Sequence, residues 1–108
     1  MKVTARQKEF LKAHARYFDE VLVVGREGLT EAHVRTIRRA IEKDELIKVR
    51  LGNVRGPEKK ELARETASRV GAELIAVRGH VIVLFRQKEE GSRFILPTAD
   101  EDDQIWQR

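Results

Sequence analysis

Two apolar runs, "AELIAV" (Ala72–Val77) and "VIVLF" (Val81–Phe85), are separated by only three residues, "RGH", with Gly79 available to turn the chain. Strand-like runs that close in sequence pair in opposite directions, so this part of the chain is expected to form an antiparallel hairpin. Two earlier runs obey another rule. "VLVV" (Val21–Val24) and "ELIKVRL" (Glu45–Leu51) are each followed by a stretch of helical period, and a strand-helix-strand crossover makes parallel, right-handed neighbours. A chain carrying both devices has to build a mixed sheet.

The stretches between the strands read as amphipathic helices. Thr4 and Gln7 have capping-box spacing at the start of the first, where Phe10, Leu11, His14, Tyr17 and Phe18 make an apolar stripe and Arg6, Lys8, Glu9, Lys12 and Arg16 stay wet. The spacing assigns Phe10, Tyr17, Phe18 and Phe85 to the core. Thr30 is placed to cap the second helix, with Leu29 and Val34 as a hydrophobic staple and Val34, Ile37, Ala40 and Ile41 as its buried face. In "ELIKVRL" Ile47, Val49 and Leu51 fall on one parity and Leu46, Lys48 and Arg50 on the other, so one face is dry and the other carries two cations. Pro57 suits the first position of a third helix that buries Leu62, Ala63, Thr66, Ala67 and Val70 and ends at a left-handed Gly71. The expected fold is α/β: a single compact domain in the order α-β-α-β-α-β-β, its four-stranded mixed sheet covered by the second and third helices.

At 108 residues, the chain suffices for one domain with a modest core. Charge divides it at residue 88. Residues 1–88 hold 20 Lys and Arg against 12 Asp and Glu, whereas residues 89–108 hold 2 against 6. The expectation is a basic domain over 1–88 and an acidic, disordered tail over 89–108, in which Phe94 and Trp106 stand outside the core as anchors for a partner or a base. A surplus of cations on a small body suits a polyanion such as nucleic acid. The chain has no cysteine, which excludes disulfides and thiolate chemistry and fits a reducing cytoplasm. Its longest apolar runs fall far short of the roughly 20 residues that cross a bilayer, so no membrane partner is expected.

"VVGREGLTE" (Val23–Glu31) places Gly25 and Gly28 around Arg26 and Glu27 where a strand passes into a helix. Two readings stay open: the glycines solve a tight turn, or they let a ligand's backbone approach the helix start, where free N–H groups and a positive dipole end favour phosphate. A Walker-type loop needs a longer spacing and a Lys-Ser/Thr pair that "GREGLT" lacks. Arg35, Arg38 and Arg39 share the polar side of the second helix, either extending an electropositive track or pairing internally, since Glu31 precedes Arg35 by four and Glu42 follows Arg38 by four. Lys48, Arg50, Arg55 and Arg86 are further cationic candidates. Catalysis finds little support: His14, His33 and His80 lack metal-ligand spacing, no nucleophile and base stand together, and Asp44 and Glu45 read as surface charge at a helix-strand junction. Neither enzymatic activity nor a metal or cofactor is expected.

Taken in order, "TARQKEFLKAHA", "VVGREGLTE", "DELIKVRL" and "KELARETASRVGAELIAVRGHVIVLFR" resemble the YhbY-type CRM domain, the chloroplast RNA splicing and ribosome maturation family, over about residues 3 to 87. The resemblance implies a fold similar to the C-terminal domain of translation initiation factor 3. It also implies RNA binding through a G-x-x-G loop that acts as in KH domains. Single-domain bacterial members are associated with precursors of the large ribosomal subunit. Carried onto this chain, it makes Gly25, Arg26, Glu27 and Gly28 the loop residues, with Arg35, Arg38, Arg39, Lys48, Arg50 and Arg86 as basic helpers. The expected function is a cytoplasmic, monomeric RNA-binding protein that associates with ribosomal RNA or precursor large subunits and assists assembly, with ribosomal proteins as possible neighbours. The rival expectation is a protein-binding translation or ribosome accessory module that docks through its basic face and acidic tail.

Overall fold

The computed structural model describes residues 3–25 and 27–97. Seven elements follow one another: α1 (Ala5–Ala15), β1 (Glu20–Val24), α2 (Glu31–Asp44), β2 (Leu46–Leu51), α3 (Gly56–Val70), β3 (Glu73–Arg78) and β4 (Val81–Phe85). The strands lie in the order β1-β2-β4-β3. β1 is parallel to β2, and β4 is antiparallel to both of its neighbours. The sheet is mixed, as a hairpin and helical crossovers imply, but of the two crossovers only the first makes parallel neighbours: β4 inserts between β2 and β3, which leaves β3 at the edge.

Local signals explain where the elements begin and end. Thr4 caps α1 reciprocally, accepting from the Gln7 N–H at 3.1 Å while its own N–H donates to the Gln7 side chain at 3.0 Å. α3 starts at Gly56 and Pro57 and stops at Gly71, whose φ of 68° is the left-handed value that glycine adopts without a Cβ clash.

Two cores result, one on each sheet face. Ile47, Val49, Leu51, Ile82 and Leu84 meet Val34, Ile37 and Ile41 of α2 and Ala63, Ala67 and Val70 of α3. On the other face α1 covers the sheet, with Leu11 and Ala15 against Leu46, Ile75, Val83 and Phe85. The sequence pattern left α1 unplaced; its apolar stripe needs this face.

Three expectations are corrected. Tyr17 and Phe18 were assigned to the core, yet Tyr17 is 83% exposed and Phe18 39%. α1 ends at Ala15 and the chain turns, with the Phe18 N–H donating to Ala15 O at 3.0 Å, so both rings lie beyond the helical stripe. Phe94, expected outside the core, fills the place beside that stripe: it is buried, edge-on to Phe85 at 5.6 Å and to His14 at 5.8 Å. Glu45, read as surface charge, is fully buried. It closes α2 at φ 67°, and its carboxylate accepts from Ser92 Oγ (2.6 Å), Arg93 N–H (2.7 Å) and Lys88 N–H (2.9 Å).

Glu45 therefore fastens the segment after β4 to the body. The same segment is held by the Gln87 amide donating to Phe94 O at 3.0 Å and the Gln7 amide donating to Pro97 O at 2.8 Å. Residues 98–108, with the acidic run and Trp106, lie outside the described residues, as does Arg26.

Candidate nucleic-acid interface

Strand direction gathers several loops on one rim of the sheet. β1 and β2 both end there, and because Val81 pairs with Arg50 and with Arg78, β4 begins and β3 ends there too. The Gly52 N–H donates to Val24 O at 2.8 Å, and the Leu51 N–H donates to His80 O at 2.6 Å, with His80 Nδ1 3.1 Å from Leu51 O. The glycine loop, the loop after β2 and the hairpin turn are thus tied side by side.

Within the glycine loop the two glycines differ. Gly28 has φ +81°, and its N–H donates to Gly25 O at 3.1 Å, closing a turn that an L residue makes only with strain. Among the described residues, its chain neighbours apart, nothing lies within 4 Å of the place its Cβ would occupy, so this side of the loop is open to them. At Gly25 an added Cβ would lie 2.9 Å from a Glu27 carboxylate oxygen. That carboxylate folds over Gly25. Arg26, the cation expected between them, is outside the described residues.

At the start of α2, Thr30 Oγ1 accepts from the His33 N–H at 3.1 Å, and the Thr30 N–H donates to His33 Nδ1 at 3.2 Å. This is a capping box with histidine in the place of the usual Glu or Gln, which is why the sequence pattern gave His33 no role. The N–H groups of Glu31 and Ala32 precede the first intrahelical bond, from Val34 N–H to Thr30 O at 3.0 Å, and point toward the rim.

The carboxylates that could neutralise the α2 arginines are engaged elsewhere. Glu31 pairs with Arg69 of α3, and Glu42 with Arg86 at 3.6 Å, so neither of the internal pairs that the sequence left open forms. Arg38 donates to Arg69 O at 2.8 Å, while Arg35 and Arg39 project from the exposed side of α2. Arg69 was missed in the sequence. It also donates to Leu29 O at 3.3 Å, fixing the end of the loop, and its wide separation from Leu29 along the chain hides that role.

The remaining candidates are elsewhere. Lys48 and Arg50 project from the sheet face opposite α2 and α3 because Ile47, Val49 and Leu51 take the α2 side. Lys48 Nζ is 3.5 Å from Arg16 O, and Arg50 pairs with Glu20 at 2.8 Å. That hydrogen bond, chiefly, holds the Glu20 carboxyl below its ordinary value. Arg86 sits at the other end of the sheet, donating to Val70 O at 3.3 Å, where it answers the C-terminal carbonyls of α3. The nine expected site residues that are described, all but Arg26, thus occupy three places, not one.

Each histidine serves local structure: His14 packs against Phe10 with the rings tilted at 55° and 4.6 Å apart, His33 caps α2 and His80 ties the hairpin to β2. Among the described residues no group of three His, Cys, Asp or Glu is placed to hold a metal ion, and no helix is long and apolar enough to cross a membrane.

Comparison with known proteins matches residues 3–86 to the CRS1 / YhbY (CRM) domain model. A Methanocaldococcus jannaschii protein named a probable RNA-binding protein is 33% identical over 87% of this chain and 71% of its own. A Haemophilus influenzae RNA-binding protein is 32% identical over 82% of this chain and 89% of its own. The solution structure of a Staphylococcus aureus protein, described as a candidate RNA-binding protein, superposes with a TM-score of 0.79 at 32% identity, over 89% of this chain and all of the other.

Proposed function

Because the chain belongs to the CRS1 / YhbY (CRM) domain family, we propose that it binds RNA at the rim, through the glycine loop and the exposed arginines of α2. The observation that carries this reading is the open side of Gly28 beside a helix whose exposed Arg35 and Arg39 have no carboxylate partner among the described residues, Glu31 and Glu42 being engaged by Arg69 and Arg86. An RNA backbone meets N–H groups of Glu31 and Ala32 and the guanidinium groups of α2, while Glu27 swings off Gly25 to admit a phosphate. Such contacts position a strand without reading its bases, so affinity falls with salt and discriminates little between sequences. The RNA we propose is ribosomal, alone or in precursors of the large subunit, whose assembly the protein assists in the cytoplasm without chemistry of its own.

The test is titration of ribosomal RNA fragments with the wild-type chain and Arg35→Glu/Arg39→Glu, helicity being checked by circular dichroism. Both arginines are exposed, so the variant is expected to fold. Affinity is expected to drop at least about tenfold at low salt, with a shallower salt dependence. Equal affinity would remove α2 from the interface.

A further inference from the structure

On the sheet face away from α2, α1 covers only part of the strands. Beside it lies a cleft of about 130 Å³ with Ala15 and Val83 in its floor and Lys12, Arg16, Lys48 and Arg78 around it. None of Lys12, Arg16 and Arg78 was a candidate from the sequence, because the cleft joins a helix, a central strand and an edge strand distant along the chain. Among the described residues, Lys12 alone of the four has a carboxylate in direct contact, Glu9 at 2.7 Å, whose charge also acts on Arg78. The next carboxylate on this face, Glu20, is taken by Arg50. Four cations thus border one open cleft, a charge arrangement that suits a phosphate group.

The cleft is continuous with the rim. Val23, Arg50, Val81 and Arg78 are register partners and share this face, and Val23 is two residues before Gly25. Lys48, one rung lower, pairs with Glu20 below a bulge in β1 and stands three residues before Leu51, the partner of Val24, a rise of about 10 Å at ~3.3 Å per residue. Arg50 in the row beside the rim and the four cations of the cleft therefore follow one another down this face from the glycine loop.

We propose that this cleft is a second phosphate site, holding the backbone of the same RNA strand as it passes over the rim from the glycine loop. The inference rests on the RNA-binding reading above. A repeated phosphate suits the cleft better than an acidic protein does: protein interfaces centre on an apolar patch, and the exposed large apolar side chain on this row is Val23 alone among the described residues. The cleft adds length to the site, so it matters to long strands and not to short ones.

The experiment compares Arg16→Glu/Arg78→Glu with wild type on two single-stranded RNAs, one of about 4 nucleotides, the span a G-x-x-G loop clamps, and one of about 16. Both side chains are exposed, and circular dichroism checks the fold. The long RNA is expected to lose about tenfold or more in affinity and its salt slope to fall by about 1.4, two phosphate contacts at ~0.7 each, while the short RNA is unaffected. No loss on the long RNA, or equal loss on both, overturns the second site. Loss of binding to a polyglutamate peptide with RNA binding intact would assign the cleft to a protein and also overturn it. Gly28→Val separates the two readings: if it binds the long RNA normally while the cleft variant does not, the loop reading falls and the cleft stands.

Discussion

Glu45 shows how much one residue can organise. Its carboxyl is pushed up by burial, the largest single influence, yet stands below its ordinary value because Ser92, the Arg93 and Lys88 N–H groups and the Lys88 charge together outweigh it. A carboxyl lowered on folding contributes stability above its unfolded value, near 4.5, and loses it as pH falls through the lowered folded value. Glu45→Ala is expected to cost about 2–4 kcal/mol at neutral pH by leaving those donors without their acceptor, and urea unfolding measures it. In Glu45→Gln the part of the stability loss below about pH 4.5 that belongs to this group disappears. No pattern in "KDELIK" marks this role, since the donors lie more than forty residues away. Glu27 is the residue-scale counterpart in the loop. Glu27→Gln removes a negative charge from the space over Gly25, and RNA affinity at low salt is expected to rise about threefold. An unchanged or weaker affinity would mean that phosphate does not enter there.

At the scale of elements, the helices and strands were legible because each carries its own period and punctuation. Thr4 with Gln7, Thr30 before α2, Pro57 in the first turn of α3 and Gly71 after it all stand where the chain changes course. The segment after β4 has no such period, and its composition reads as a tail. What holds it is side-chain chemistry: Phe94 enters the second core beside Phe85, and Gln7, Gln87 and Glu45 bind its backbone or its Ser92 hydroxyl. Phe94→Ala is expected to destabilise the protein by about 3 kcal/mol, the range for truncating a buried aromatic. A thermal midpoint lower by about 12–24 °C would register it, at ~4–8 °C per kcal/mol for a domain of this size. A shift of a degree or two would show that the ring contributes little.

For the molecule as a whole, the order of elements and the excess of cations up to residue 88 were determined by the sequence alone. Periodicity and charge are properties of neighbours along the chain, and the mixed sheet follows from one short connection and two helical ones. The grouping of the cations was decided only by the tertiary structure. Alternation along β2 sends Lys48 and Arg50 through the sheet from α2, the direction of β4 carries Arg86 to the far end, and the packing of α1 brings Lys12 and Arg16 to Arg78. Which acids neutralise which arginines was decided in the same way, because Glu31 and Glu42 find partners on α3 and after β4 rather than one turn away. A linear pattern specifies which face of an element is wet. Only the packing of elements specifies which wet faces meet, because that depends on distances between residues that the chain itself keeps far apart.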